Sequence, residues 1–257
     1  MAVRSTMAST GITVRTLVWL FGCVGFSGFV YVFVMDRYSS CFDLQNRWLM
    51  VEDVSFFINL GVIATWVFYK ESSWVVASIL TVLLTVFASV ATCIYVITQF
   101  LKLSPEEFSR DPLYFVLVTH NKRDDMGHKR GLSVITVKVI FSALGCLLLG
   151  SFMYLLIVDG SPFHAKVFSS CMIGTLLDFY ATVAVLSLWI VYKESSWISA
   201  FFWILLLVCF GGIATCAYIV RELLYLSPQQ PVSLIIFNNT HRDLFSSEPL
   251  LVDHANV

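Results

Sequence analysis

The chain is 257 residues long, 58% apolar and only 13% charged, with a mean hydropathy of +0.82. A soluble domain carries about a quarter charged residues, so this chain cannot cover a water-facing surface and reads as an all-α integral membrane protein. A net charge of −1, with no basic stripe, excludes nucleic acid as a partner.

Residues 1–13 read as an N-terminal tail. The first apolar run, 16–35, is too long and too evenly apolar for a cleaved signal peptide and lacks a small-residue cleavage site, so it is expected to remain as a span. Runs 52–69 and 74–101 follow, joined by the tight turn Lys70-Glu71-Ser72-Ser73. Ser72 or Ser73 can cap the next helix, and the turn charges read as solvated at the interface. A basic linker, 106–136, contains the short apolar stretch Pro112–Thr119, which can lie on the membrane surface or pack under the bundle. Three more runs, 138–158, 168–191 and 197–220, precede a tail, 229–257, with a second short apolar stretch, Pro231–Phe237. A span needs about 20 apolar residues, so six transmembrane helices are expected. Trp74 and Trp197 stand where amphipathic rings prefer the membrane boundary.

The two sets of three runs are copies. A shift of 123 residues lays Val14–Pro105 on Val137–Pro228 without a gap, Tyr69-Lys70-Glu71-Ser72-Ser73-Trp74 falling on Tyr192-Lys193-Glu194-Ser195-Ser196-Trp197. Ala91-Thr92-Cys93-x-Tyr95 likewise falls on Ala214-Thr215-Cys216-x-Tyr218. Such a period marks a duplicated unit, here 14–105 and 137–228. Three spans per unit would insert the second copy upside down, giving two inverted three-helix repeats of the kind found in many secondary transporters. Under that topology ten Lys and Arg lie on the side of the central linker and six on the other, which places the linker in the cytosol and both termini in the lumen or outside. The sequon Asn238-Asn239-Thr240 makes Asn238 a glycosylation candidate that tests this orientation.

The second run of each unit carries polar residues on one helix face: Glu52, Ser55 and Asn59 in the first copy, Thr175, Asp178 and Thr182 in the second. Asp53 lies about 100° around the helix from Glu52. A carboxylate at membrane depth costs about 2.5–3.5 kcal/mol, so it faces protein or water and marks an ion or substrate route. Glu52, Asp53, Ser55, Asn59, Asp178 and Thr182 are therefore the pore or ion-binding candidates, Asp178 the deepest acid and Glu52 near the boundary. Ser78, Thr81, Thr85, Ser89 and Thr92 on the third run can line a wet path, although small hydroxyl residues also serve ordinary helix packing. Gly22, Gly25 and Gly28 suit close backbone approach. Six of the seven cysteines lie in or at the ends of spans and read as packing residues; with only Cys41 in a loop, no disulfide framework is expected. No nucleotide loop, catalytic triad or zinc spacing occurs, so neither an enzyme, a cofactor nor a fixed metal site is expected.

The doubled Tyr-Lys-Glu-Ser-Ser-Trp, together with Ser55-Phe56-Phe57-Ile58-Asn59 and Asp178-Phe179-Tyr180, resembles a plant family of multi-pass membrane proteins of unknown function, over 14–245. An Asp-Phe-Tyr start to the second span is typical of that family; Ser55 stands where the first unit would carry the acid. The chain is also similar to small endoplasmic-reticulum cation channels of plants. That likeness implies a calcium-permeable pore, a homopentamer and a part in plant defence. The leading expectation is an oligomeric cation-selective channel in an internal membrane, contacting lipids, its own copies and permeating cations including calcium, with rings of acids excluding anions. The alternatives are a secondary transporter with its site inside one subunit and a non-conducting scaffold. Against the transporter, Gly211-Gly212 is the only candidate helix break, and its counterpart is Ala88-Ser89. The plasma membrane is the other location considered.

Overall fold

Matching side-chain oxygens start matching helices in the two units. Asn46 accepts from Leu49 N and Ser169 from Met172 N, each at 3.2 Å, satisfying amides that a first helical turn leaves unpaired. The computed structural model describes residues 2–36, 41, 46–110, 112–117, 133–161, 169–227, 232 and 235. Its elements are α1 Ala2–Asp36, α2 Arg47–Lys70, α3 Trp74–Leu101, α4 Pro105–Arg110, α5 Pro112–Leu117, α6 Val134–Val158, α7 Ser170–Lys193, α8 Trp197–Phe210 and α9 Gly212–Leu224, with no strand among the described residues. Helix α1 runs back through the segment read as a tail. Ser73 and Ser196 occupy N-cap positions, but their side chains make no cap bond. A reciprocal Ser104–Glu107 box, with Pro105 in the first turn, starts α4 instead.

Among the described residues, five helices are long and apolar enough to cross a membrane: Ile12–Met35, Arg47–Lys70, Trp74–Leu101, Val134–Val158 and Ser170–Lys193. One of them, α3, is broken. Ala88 has φ 36 and ψ −109 inside it, and at the equivalent position Gly211, between α8 and α9, has φ 49 and ψ −120. Both breaks reverse the chain. Tyr95 OH, on the far limb of α3, donates to Glu71 Oε1 at 2.8 Å, although an unbroken helix from Trp74 to Tyr95 would separate them by about 31 Å. Tyr218 OH on α9 donates to Glu194 Oε1 at 3.1 Å ahead of α8, and the Trp203 and Tyr218 rings meet at 5.1 Å. Each limb, such as the 14 residues of α8, measures about 21 Å, short of the ~30 Å hydrocarbon core.

The described residues thus form four rods and two folded-back hairpins, an arrangement that does not reproduce six straight spans. Rods α1 and α6 start beside the hairpin bases: Val14 and Val18 pack on Phe100, and Val134 packs on Ile219 and Leu223. They end at the opposite face, where α2 and α7 begin. There Arg47 Nη1 lies 3.6 Å from Asp159 Oδ1, and a disulfide joins Cys41 to Cys171, their Cα atoms 5.1 Å apart. Each unit thus contributes two rods and one hairpin that turns back within the bundle, so the described parts of the two copies run parallel to one another. That disulfide, unexpected from the sequence, closes 130 residues of chain. Trp48 stacks edge-on to Phe152 between α2 and α6. Below the breaks the four inner elements pack an apolar core including Phe56, Leu60, Ile63, Phe179, Val183 and Leu186. Helix α5 closes the hairpin end of the first unit: Trp66 Nε1 donates to Leu117 O at 3.0 Å and Lys70 Nζ to Phe115 O at 2.8 Å. The equivalent Lys193 donates to Ile235 O.

Candidate functional site

The two hairpin tips meet the polar stripes of the opposite unit. At the first tip, the Ser89 hydroxyl donates to Asp178 Oδ1 on α7. At the second, Gly212 N donates to Ser55 Oγ on α2 at 2.7 Å, and Thr215 Oγ1 donates to Asn59 Oδ1 at 2.6 Å. A helix break inside a membrane exposes backbone groups that water cannot satisfy there; Ser55 takes over one of them. Room for the Ser89–Asp178 contact comes from α1. A Cβ on Gly25 would overlap Ser89 Oγ and lie 3.2 Å from Asp178 Oδ1, so glycine is required there. The expected close approach is thus realised at Gly25, and also at Gly28 against Leu177 and the Gly174 carbonyl.

Of the sequence candidates, Ser55, Asn59, Ser89, Thr92 and Thr182 are buried in this mid-depth belt, with Asp178 half-buried among them. Thr92 Oγ1 bonds Ala88 O and Thr182 Oγ1 bonds Asp178 O, each at 2.9 Å. Asn59 is fully buried, and its Nδ2 has no partner among the described residues. Glu52 and Asp53 are half-buried one turn and less from Ser55, toward the disulfide end, and Glu52 Oε1 also has no partner among the described residues. The hydroxyl stripe of the third run does not follow one straight helix face. The fold-back splits it, leaving Ser78, Thr81 and Thr85 on the outer limb, bonded to the carbonyls of Trp74, Ala77 and Val82. Asn238 lies outside the described residues. No group of three or more His, Cys, Asp and Glu among the described residues could hold a metal ion.

The hairpin bases carry a second set of polar contacts. Glu71, expected to be merely solvated, accepts from Tyr95 and, at 3.4 Å, from Gln99 Nε2. Glu194 accepts from Ser199 Oγ at 2.7 Å, from Tyr218, and from Arg221 Nη1 at 2.6 Å. Burial pushes the Glu194 carboxyl up, but these hydrogen bonds and the Arg221 charge outweigh it and hold the group below its ordinary range. Lys193, 1% exposed, pairs with Glu222 at 3.0 Å. The sequence shows Glu71/Glu194 and Tyr95/Tyr218 repeating in both units, but their contact across 24 residues, which only a reversed chain permits, is disclosed by the structure.

Apolar rods that bury a polar belt at mid-depth define a helical integral membrane protein. Within that class, the chain belongs to the family described as protein of unknown function (DUF1475), which matches residues 5–243. No curated protein and no solved structure matches it.

Proposed function

We propose that this chain is a membrane transport protein that passes a small cation through a site inside one subunit, at the paired helix breaks. One observation carries the reading: Ala88 and Gly211 break two equivalent helices, and each tip is held by a polar side chain of the other unit, Asp178 or Ser55. Broken helices near the bilayer midplane are where transporters bind substrate and coupling ions. Irregular backbone is tolerated at that depth only in protein or beside a water-filled cavity. Asp178 supplies the negative charge. Glu52 Oε1 supplies a buried acceptor with no partner among the described residues, whereas Asn59 Nδ2 is a donor and does not ligate a cation. The objection that breaks are unpaired falls away, because Ala88 breaks its helix as Gly211 does.

The second reading is the oligomeric, calcium-permeable channel, with acids from several copies on a shared axis. It draws on a likeness to the plant endoplasmic-reticulum channel WeiTsing, which would place the chain in that membrane as a homopentamer acting in defence. One feature of the fold favours it: α6 leaves large apolar side chains such as Leu147 (69% exposed) and Ile157 (80%) uncovered, a face that other copies or lipid can occupy. We prefer the site within one subunit because Asp178 and Ser55 engage the chain's own hairpins.

The test is cation flux into liposomes holding the purified protein, beside single-channel recording. The expected result is saturable flux without unitary currents, lowered at least tenfold by Asp178→Asn, with the variant eluting as a folded protein. Unitary currents would favour the channel. Flux that Asp178→Asn leaves unchanged, or no flux at all, overturns the site proposed at the breaks.

A further inference from the structure

Two independent features distinguish the ends of the bundle. Of the nine Lys and Arg at described positions, eight lie at the hairpin end, among them Arg4 and Arg15 on α1, Lys70, Lys102, Lys193 and Arg221. Only Arg47 lies at the other. The linker between α5 and α6, both of which meet the hairpin end, adds Lys122, Arg123, Lys129 and Arg130 to the sequence on that side. Cytoplasmic loops carry the excess of Lys and Arg, and orientation follows that bias rather than net charge. The opposite end holds the Cys41–Cys171 bond. Disulfides persist in oxidising compartments and are rare where glutathione keeps thiols reduced.

We infer that the hairpin end is the cytosolic face of this protein, while the disulfide end faces an oxidising compartment. Both hairpins then enter from the cytosol, and the half of the bundle holding Glu52 and Asp53 opens away from it. The orientation drawn from six alternating spans had both termini outside; with the fold-back, eight of the nine described Lys and Arg stand at the hairpin end, while Arg37 and Lys166 adjoin Arg47's end in sequence. The fold-back also makes Asn238 a silent sequon, since the chain leaves α9 at the cytosolic end.

The experiment is expression in sealed microsomes, with no need for transport activity. A glycosylation cassette inserted after Gly160 is expected to acquire a glycan, and Asn238→Gln is expected to leave mobility unchanged. A protease site placed in the α5–α6 linker is expected to be cut by protease added from the cytosolic side. A glycan on Asn238, or a protected linker site, would overturn the orientation. So would a Cys41–Cys171 pair open to a membrane-impermeant thiol reagent applied from the cytosol.

Discussion

Replacing Gly211 with alanine separates a folded-back hairpin from a continuous rod, because the two geometries give the added methyl opposite effects. At φ 49 an L side chain is strained, at about 1–3 kcal/mol for a non-glycine residue in such a region. The new Cβ would also sit 2.5 Å from Phe179 Cζ and 2.9 Å from Ser55 Oγ, and overpacking of this kind costs about 1–3 kcal/mol. Reduced freedom of the unfolded chain returns about 0.4–1 kcal/mol. The net expectation is a loss of about 1–5.5 kcal/mol. Were residues 197–224 one straight helix, the same change would stabilise by about 1 kcal/mol, the helix-propensity gap between glycine and alanine. Thermal unfolding in detergent, followed by tryptophan fluorescence, reads the difference. For a chain of this size each kcal/mol moves Tm by about 2–4 °C, so a fall of roughly 2–22 °C is expected. An unchanged or raised Tm would refute the hairpin. Ala88→Gly is the less informative partner: relief of strain at φ 36 is offset by the lost buried methyl and by the freer unfolded chain, leaving a change within about 1–2 kcal/mol.

Two further outcomes are expected. Glu194 is held below its ordinary range in the folded chain, so the stability it contributes is present above the unfolded value of about 4.3 and is lost as pH falls below it. Thermal unfolding of the wild type should therefore weaken on acidification through that range more steeply than that of Glu194→Gln, and parallel pH profiles would contradict the assignment. Arg221 is 32% exposed, so breaking its pair with Glu194 should cost only about 1–2 kcal/mol. Cys41→Ser removes a crosslink closing 130 residues and should lower stability by about 2–4 kcal/mol. Inserted helices already restrict the unfolded chain, so the lower figure is the better guide. A wild-type chain whose mobility on a gel is the same with and without reductant would remove the disulfide from the account.

The duplication, the membrane class, the helix periods and the mid-depth stripe could all be read from residue order, since each depends on local spacing. The direction of the third run in each unit could not. Residues 74–101 have the length and hydropathy of a span, and Ala88 is a good helix former that gives no local warning of a break. Only contacts distant in sequence disclose it, Glu71 with Tyr95 and Glu194 with Tyr218. That single misreading propagated: a crossing in place of a dip turns a parallel repeat into an inverted one and moves the second unit's loops to the opposite face. It also concealed the disulfide, because Cys41 and Cys171 then fell on opposite sides of the membrane. The stripe on the third run failed for the same reason, while the stripes on α2 and α7 survived because straight rods preserve their faces.

The loss of the acid from the first unit follows from the same geometry. Positions 55 and 178 are equivalent, as are 89 and 212, and each of the first pair meets one of the second across the two units. Asp178 reaches a serine side chain; Ser55 meets the bare backbone of Gly212, where an added Cβ would stand 2.8 Å from its Oγ and 2.9 Å from its Cα. With so close an approach there is no space for a longer acidic side chain, and the group presented is a backbone amide, which a neutral hydroxyl can satisfy. A carboxylate at position 55 would bury a charge next to Phe179 and the apolar core, at a cost that one amide hydrogen bond does not offset. Ser55 with Gly212 and Asp178 with Ser89 are therefore two self-consistent ways of holding a hairpin tip. Only the second leaves an acidic side chain at a hairpin tip, so the duplicated frame holds one charged tip contact and not two.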